Sequence, residues 1–114
     1  MRKKKNRDFI VVLTTIDDLE SAKKLSRSLV YNKLAGCVNI IPDLISIYRW
    51  EGNIEEDNEF LLFIKTRKEN YEEIEEFIKE NHPYEVAEII SLNIESGENE
   101  YLNWLYENTN YPEE

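Results

Sequence analysis

Between Ile45 and Thr66 the chain alternates apolar and polar side chains twice, once on each side of a glycine. Ile45, Ile47 and Arg49 alternate with Ser46, Tyr48 and Trp50. After Gly52, Phe60, Leu62 and Ile64 alternate with Glu59, Leu61, Phe63 and Lys65. A period of two marks a strand, and two such runs about one glycine argue for a long β-hairpin. Glu51-Gly52-Asn53 supplies the turn, because glycine takes positive φ at no steric cost. Traced back to Cys37, the first arm runs about fourteen residues, against a usual strand of roughly 5–6. A small sheet cannot cover arms that long. The overhang, tipped by Tyr48 and Trp50, needs another surface, and a second copy of the chain is the simplest supplier.

The other elements fall around this hairpin. Phe9 to Thr15 is continuously apolar and β-branched, the pattern of a strand buried at a sheet centre. Asp17 with Glu20 predicts a helix start. Leu19, Ala22, Leu25, Leu29, Val30 and Leu34 trace one helical face, which Gly36 can close in the left-handed conformation. Pro42-Asp43 interrupts the second strand, as at a bulge or on an edge. Thr66 and Glu69 predict a second capping box, before a helix whose face is Tyr71, Ile74, Phe77 and Ile78. Pro83 stops it. Val86 to Glu95 reads as a strand, and Glu98 to Asn108 as a short last helix. The order β-α-β-β-α-β plus one helix is α+β and ferredoxin-like: an antiparallel sheet with helices on one face and the first and third strands central.

A chain of 114 residues that is 41% hydrophobic can bury one core. Residues 1–7 read as a basic flexible tail, 8–110 as a single domain and 111–114 as a flexible C-terminus. The net charge is −10; Arg2, Lys3, Lys4, Lys5 and Arg7 carry +5, which leaves −15 for the remainder. A body that acidic repels nucleic acid and anionic membranes, so neither is expected as a partner. Cys37 is the only cysteine, so no intrachain disulfide exists, and a reducing, cytoplasmic compartment fits. No stretch approaches the roughly 18 apolar residues of a membrane span.

Five pieces occur in order at fitting spacings: Leu34-Ala-Gly-Cys-Val-Asn-Ile40, Ser46-Ile-Tyr-Arg-Trp-Glu-Gly52, Lys65-Thr66, His82-Pro-Tyr-Glu85 and Tyr101-Leu-Asn-Trp104. With these the chain resembles the CutA family, the divalent-cation-tolerance proteins, from about Phe9 to Asn108. The resemblance implies a cytosolic homotrimer, PII-like in architecture, with long hairpins about the threefold axis and clefts between subunits. It implies copper tolerance and divalent-metal binding, and no secure catalysed reaction. Asn81 and Thr14 stand where some members have histidine and cysteine, and Ala87 where the usual pattern has proline.

Copper or zinc would want Cys and His ligands. The chain has one of each, Cys37 and His82, and the topology sets them at different ends of a subunit. A site for Cu²⁺ or another divalent cation therefore needs a partner subunit or carboxylates such as Glu85. The blander readings are a small buried apolar Cys37 and a His82 that bonds locally at the helix end. Matched residue by residue, the family's cleft implies Cys37, Trp50, Glu59, Lys65, His82, Tyr84 and Glu85. Glu59 and Lys65, six apart on one strand, face the same side, with Leu61 and Phe63 between them. That pair suits a small polar ligand or an interface salt bridge. Trp50 reads first as an interface anchor. An enzyme is not expected: the glycines at 36, 52 and 97 form no phosphate-cradling loop, and no nucleophile pairs with His82. The reading is a trimeric CutA-like metal-tolerance protein, with a PII-like small-molecule sensor as the alternative.

Overall fold

The computed structural model describes residues 7–110. Along the chain come β1 (Phe9–Ile16), α1 (Leu19–Tyr31), β2 (Cys37–Trp50), β3 (Asn53–Arg67), a 3-10 turn (Lys68–Asn70), α2 (Tyr71–Asn81), β4 (Ile90–Ile94) and α3 (Asn99–Glu107). The strands form one antiparallel sheet in the order β2-β3-β1-β4, so the first and third strands are central, as the ferredoxin-like order requires. Ile10, Val12 and Ile16 of β1 and Leu62 and Ile64 of β3 point to one face. There they meet Ala22, Leu25 and Leu29 of α1 and Ile74 and Ile78 of α2 in one buried core. No helix among the described residues is long and apolar enough to cross a membrane.

The hairpin outruns this body. β1 pairs with β3 only from Phe60 to Arg67, whereas β2 and β3 stay paired out to Trp50↔Asn53. The arm makes the long dimension 57 Å against 25 and 22 Å. Its two-residue turn, Glu51-Gly52, has φ of 49° and 84°, the doubly positive pattern that matches strand twist. Replacing Gly52 with alanine is expected to cost about 1 kcal/mol in urea unfolding, from the left-handed φ alone, since a Cβ there meets nothing within 4 Å. The register shifts between Ile41 and Leu44, and Asp43 takes φ 63°, so Pro42-Asp43 forms the bulge that the proline implies.

Four local expectations are corrected. Asp18, not Asp17, caps α1, its carboxylate accepting from the Ser21 N–H at 2.8 Å. That bond, followed by the one from the Ser21 hydroxyl, holds the Asp18 carboxyl below its ordinary range. The left-handed residue that closes α1 is Lys33 (φ 60°), not Gly36. The Leu34 N–H donates to Leu29 O and the Lys33 N–H to Val30 O, the paired bonds of a Schellman end. Gly36 serves packing instead: a Cβ there would sit 2.5 Å from Leu105 Cδ1.

Thr66 is not a helix cap. Its hydroxyl donates to Leu34 O at 2.6 Å, and α2 starts later, after the 3-10 turn. The last strand covers only Ile90–Ile94, half of the Val86–Glu95 run, because residues 86–89 leave the sheet edge. At Thr15, where a longer β4 would continue along β1, the carbonyl meets the His82 ring instead.

Residues 1–6 and 111–114, assigned to the two tails, lie outside the described residues. Arg7 is described. Its guanidinium donates to Asn103 Oδ1 at 2.8 Å and lies 4.4 Å from the centre of the Tyr106 ring.

Candidate functional site

A cavity of about 550 Å³ opens where the arm leaves the sheet. The alternation of β3 puts Glu59 and Asp57 on its floor, since residues two apart share a face. The bulge in β2 brings Ser46 opposite Asp57, and Tyr48 and Trp50 follow on the same side. Asp17, just after β1, and Glu85, Val86 and Glu88 from the loop before β4 close the walls, with Tyr84 and Thr15 at the back. Asp17, Asp57, Glu59, Glu85 and Glu88 are five carboxylates, and no lysine or arginine is among the lining residues.

Glu59 is 94% buried, leaving 6% exposed, and accepts a 2.6 Å hydrogen bond from the Tyr84 hydroxyl. Burial, then that bond and the Glu59 charge, push the Tyr84 phenol far above the ordinary tyrosine range, so it keeps its proton and stays a donor. Tyr48 donates likewise to Asp57, and this bond pushes its phenol up to about 12. Two tyrosine–carboxylate pairs thus stand side by side on one face of the arm root.

His82 stands behind Tyr84. The Tyr84 N–H donates to His82 Nδ1 at 3.1 Å, so the ring proton sits on Nε2 and donates to Thr15 O at 2.7 Å. The His82 and Tyr84 rings meet edge to face with centroids 4.6 Å apart. Both nitrogens are committed to the main chain, the local role that a histidine at a helix end can take.

The residues singled out in the sequence divide into two groups. Trp50, Glu59, Tyr84 and Glu85 share the cavity, with His82 behind them. Cys37 and Lys65 are cross-strand partners at the other end of the sheet, beside Val11 of β1. Val11 and Thr15 are four residues apart, a separation of ~13 Å along a strand. Lys65 Nζ lies 5.7 Å from the Tyr101 ring centre of α3, and Cys37 Sγ lies 3.9 Å from Asn39 Oδ1. A copper site built from Cys37 and His82 does not fit within one chain, because the two are at opposite ends and His82 has no free lone pair. Among the described residues no three His, Cys, Asp or Glu side chains gather closely enough to hold a metal ion.

Asp57, Asp17, Glu88 and Tyr48 were not legible as site residues in the sequence. The available signal was that Asp57 is two residues from Glu59 on the same strand face. Asp17 and Glu88 come together only through the fold.

The comparisons agree with the fold. Residues 10–108 match the family model of the CutA1 divalent ion tolerance protein. A divalent-cation tolerance protein CutA from Thermus thermophilus is 48% identical over 99 residues, covering 87% of this chain and 96% of its own. A chloroplastic CutA of Arabidopsis thaliana is 47% identical over 100 residues, 88% of this chain but 55% of its own, and the chain likewise spans about half the length of the mouse protein (50%). The crystal structure of CutA1 from Oryza sativa superposes with a TM-score of 0.88 at 44% identity, covering 90% of this chain and 94% of that one. With a matched stretch that takes in every element from β1 to α3, and a full-length bacterial relative at nearly half identity, this chain belongs to the CutA1 divalent ion tolerance family.

Proposed function

We propose that this chain is a non-catalytic cytoplasmic protein of divalent-cation tolerance, that three copies assemble through their arms, and that the cavity at each arm root gathers divalent cations, Cu²⁺ among them. The observation that carries the reading is the lining: five carboxylates and no basic residue. Such a wall concentrates cations and repels anions. Oxygen ligands suit hard and borderline divalent ions, and within the first row Cu²⁺ binds most strongly at sites of a given type. A neighbouring copy would supply the ligands that one chain lacks. The non-catalytic reading is supported by His82, whose ring has no lone pair left to act as a base, and by Tyr84, which stays protonated.

Calorimetric titration with Mn²⁺, Zn²⁺ and Cu²⁺ tests it. Saturable binding is expected in the wild type and in His82→Ala, with affinity at least tenfold lower when Glu85→Gln and Glu88→Gln are combined. No saturable binding of any of the three ions would overturn it.

A second reading, a PII-like sensor of a small ligand, draws on the placement of Lys65 and Cys37. They can join Glu59, Trp50 and Tyr84 only across two copies. Nucleotides or small carboxylates that raise Tm where divalent cations do not would favour that reading.

A further inference from the structure

The arm has the anatomy of a hinged part. Beyond Phe60 it is a two-stranded ribbon, since β1 ends at Ile16↔Phe60. At that same level β2 inserts Pro42 and Asp43 between Ile41↔Leu61 and Leu44↔Glu59, so pairing lapses where the third strand stops. Asp43 holds φ 63° there without being glycine. Within one chain, a ribbon with a bulge at its root and no flanking strand bends more easily than the sheet it leaves.

One chain of hydrogen bonds crosses this weak point. It starts on the central strand at Thr15 O, passes through Nε2 and Nδ1 of His82 to the Tyr84 N–H, and continues from the Tyr84 hydroxyl to Glu59. Thr15 belongs to the sheet, and Glu59 is the first arm residue past Phe60. The last bond, to a buried carboxylate, is the strong one of the series. We propose that Thr15–His82–Tyr84–Glu59 is a brace that fixes the angle of the arm about a hinge at Pro42-Asp43, with the Tyr84–Glu59 bond as its releasable end. The brace stands on the hydrogen-bond geometry and does not depend on which ligand the cavity takes. It gives His82 and Tyr84 a positioning role: they act on the arm through Glu59.

Hydrogen exchange followed by mass spectrometry on the full assembled chain tests it. In Tyr84→Phe the arm amides 44–59 are expected to exchange roughly tenfold faster, the size set by losing one bond to a charged acceptor, while 9–15 and 62–67 keep wild-type rates. Glu59→Gln keeps an acceptor and is expected to accelerate the arm less. Tyr71→Phe is the control: it removes a hydroxyl that bonds Glu75 at 3.2 Å and Ile89 O at 3.4 Å, neither of them on the arm, and should leave the arm unchanged. An arm that exchanges at the wild-type rate in Tyr84→Phe overturns the proposal. So does an acceleration spread evenly over β1 and the arm, or one that Tyr71→Phe reproduces.

Discussion

Replacing Arg67 with alanine is expected to lower the unfolding free energy by about 3 kcal/mol. Arg67 is only 3% exposed and ends the long strand under α3. Its guanidinium donates to Thr109 Oγ1 at 3.0 Å and to Tyr106 O at 2.9 Å, and lies 3.8 Å from the Tyr106 ring centre. The last carbonyls of a helix lack partners within it and carry its negative end, so a planar cation there satisfies both needs. Alanine would take the guanidinium donors from Tyr106 O and from the hydroxyl and carbonyl of Thr109, leaving Tyr106 O to the Thr109 N–H and hydroxyl and the Tyr106 ring to Arg7. Lysine keeps the charge but not the fork, so Arg67→Lys should recover less than half of the loss. Chemical unfolding of the three proteins at one fixed concentration measures this, because the proposed assembly would contribute to apparent stability. Wild-type stability in Arg67→Ala would mean that Leu105, seated against Gly36, holds α3 without help.

The second large effect is expected at the arm. With three copies assembled through their arms as proposed, combining Ile47→Glu with Ile54→Glu should reduce the sedimenting species at micromolar concentration from three chains to one. Ile47 is 67% exposed and Ile54 64% exposed, and the register places them on the same side of the ribbon. Each isoleucine buried against a neighbour contributes about 1.5–3 kcal/mol, and each copy brings both. A glutamate at either position would have to lose its water instead. Neither side chain touches the core, so the single chains should keep their native circular dichroism. An unchanged sedimenting mass would place the contact between copies elsewhere.

The hairpin is legible in the sequence because alternation reports a pleat, and a pleat has only two faces. The same logic makes the central strands legible: a strand covered on both faces has no polar face to show, as in Phe9–Ile16. The helix ends are not legible in this way. Lys33 takes the left-handed turn expected of Gly36 because the Schellman bonds fix that position three residues earlier, and the glycine is required by Leu105, which is distant in sequence. Thr66 resembles a cap by spacing alone, yet its hydroxyl is drawn to Leu34 O from across the sheet. The site divides along the same line. Trp50 and Glu59 can be placed on one face by counting along the hairpin. That Asp17 and Glu88 join them depends on where β1 and β4 stop, and no local pattern encodes that. Lys65 shares a face with Glu59 as the count implies, but six residues of strand carry it to the opposite pole.

The seven residues from Leu44 to Trp50 carry the tip ~23 Å beyond the bulge at ~3.3 Å per residue. A shaft of that length is a lever: tilting it by ~10° at its root swings the Trp50 end through ~4 Å. With the arm braced through Glu59 as proposed, a sub-ångström adjustment at that carboxylate would be geared up to displacements as wide as a side chain. Indole emission from Trp50 should accordingly register events at the opposite end of the shaft that leave the body of the subunit unmoved.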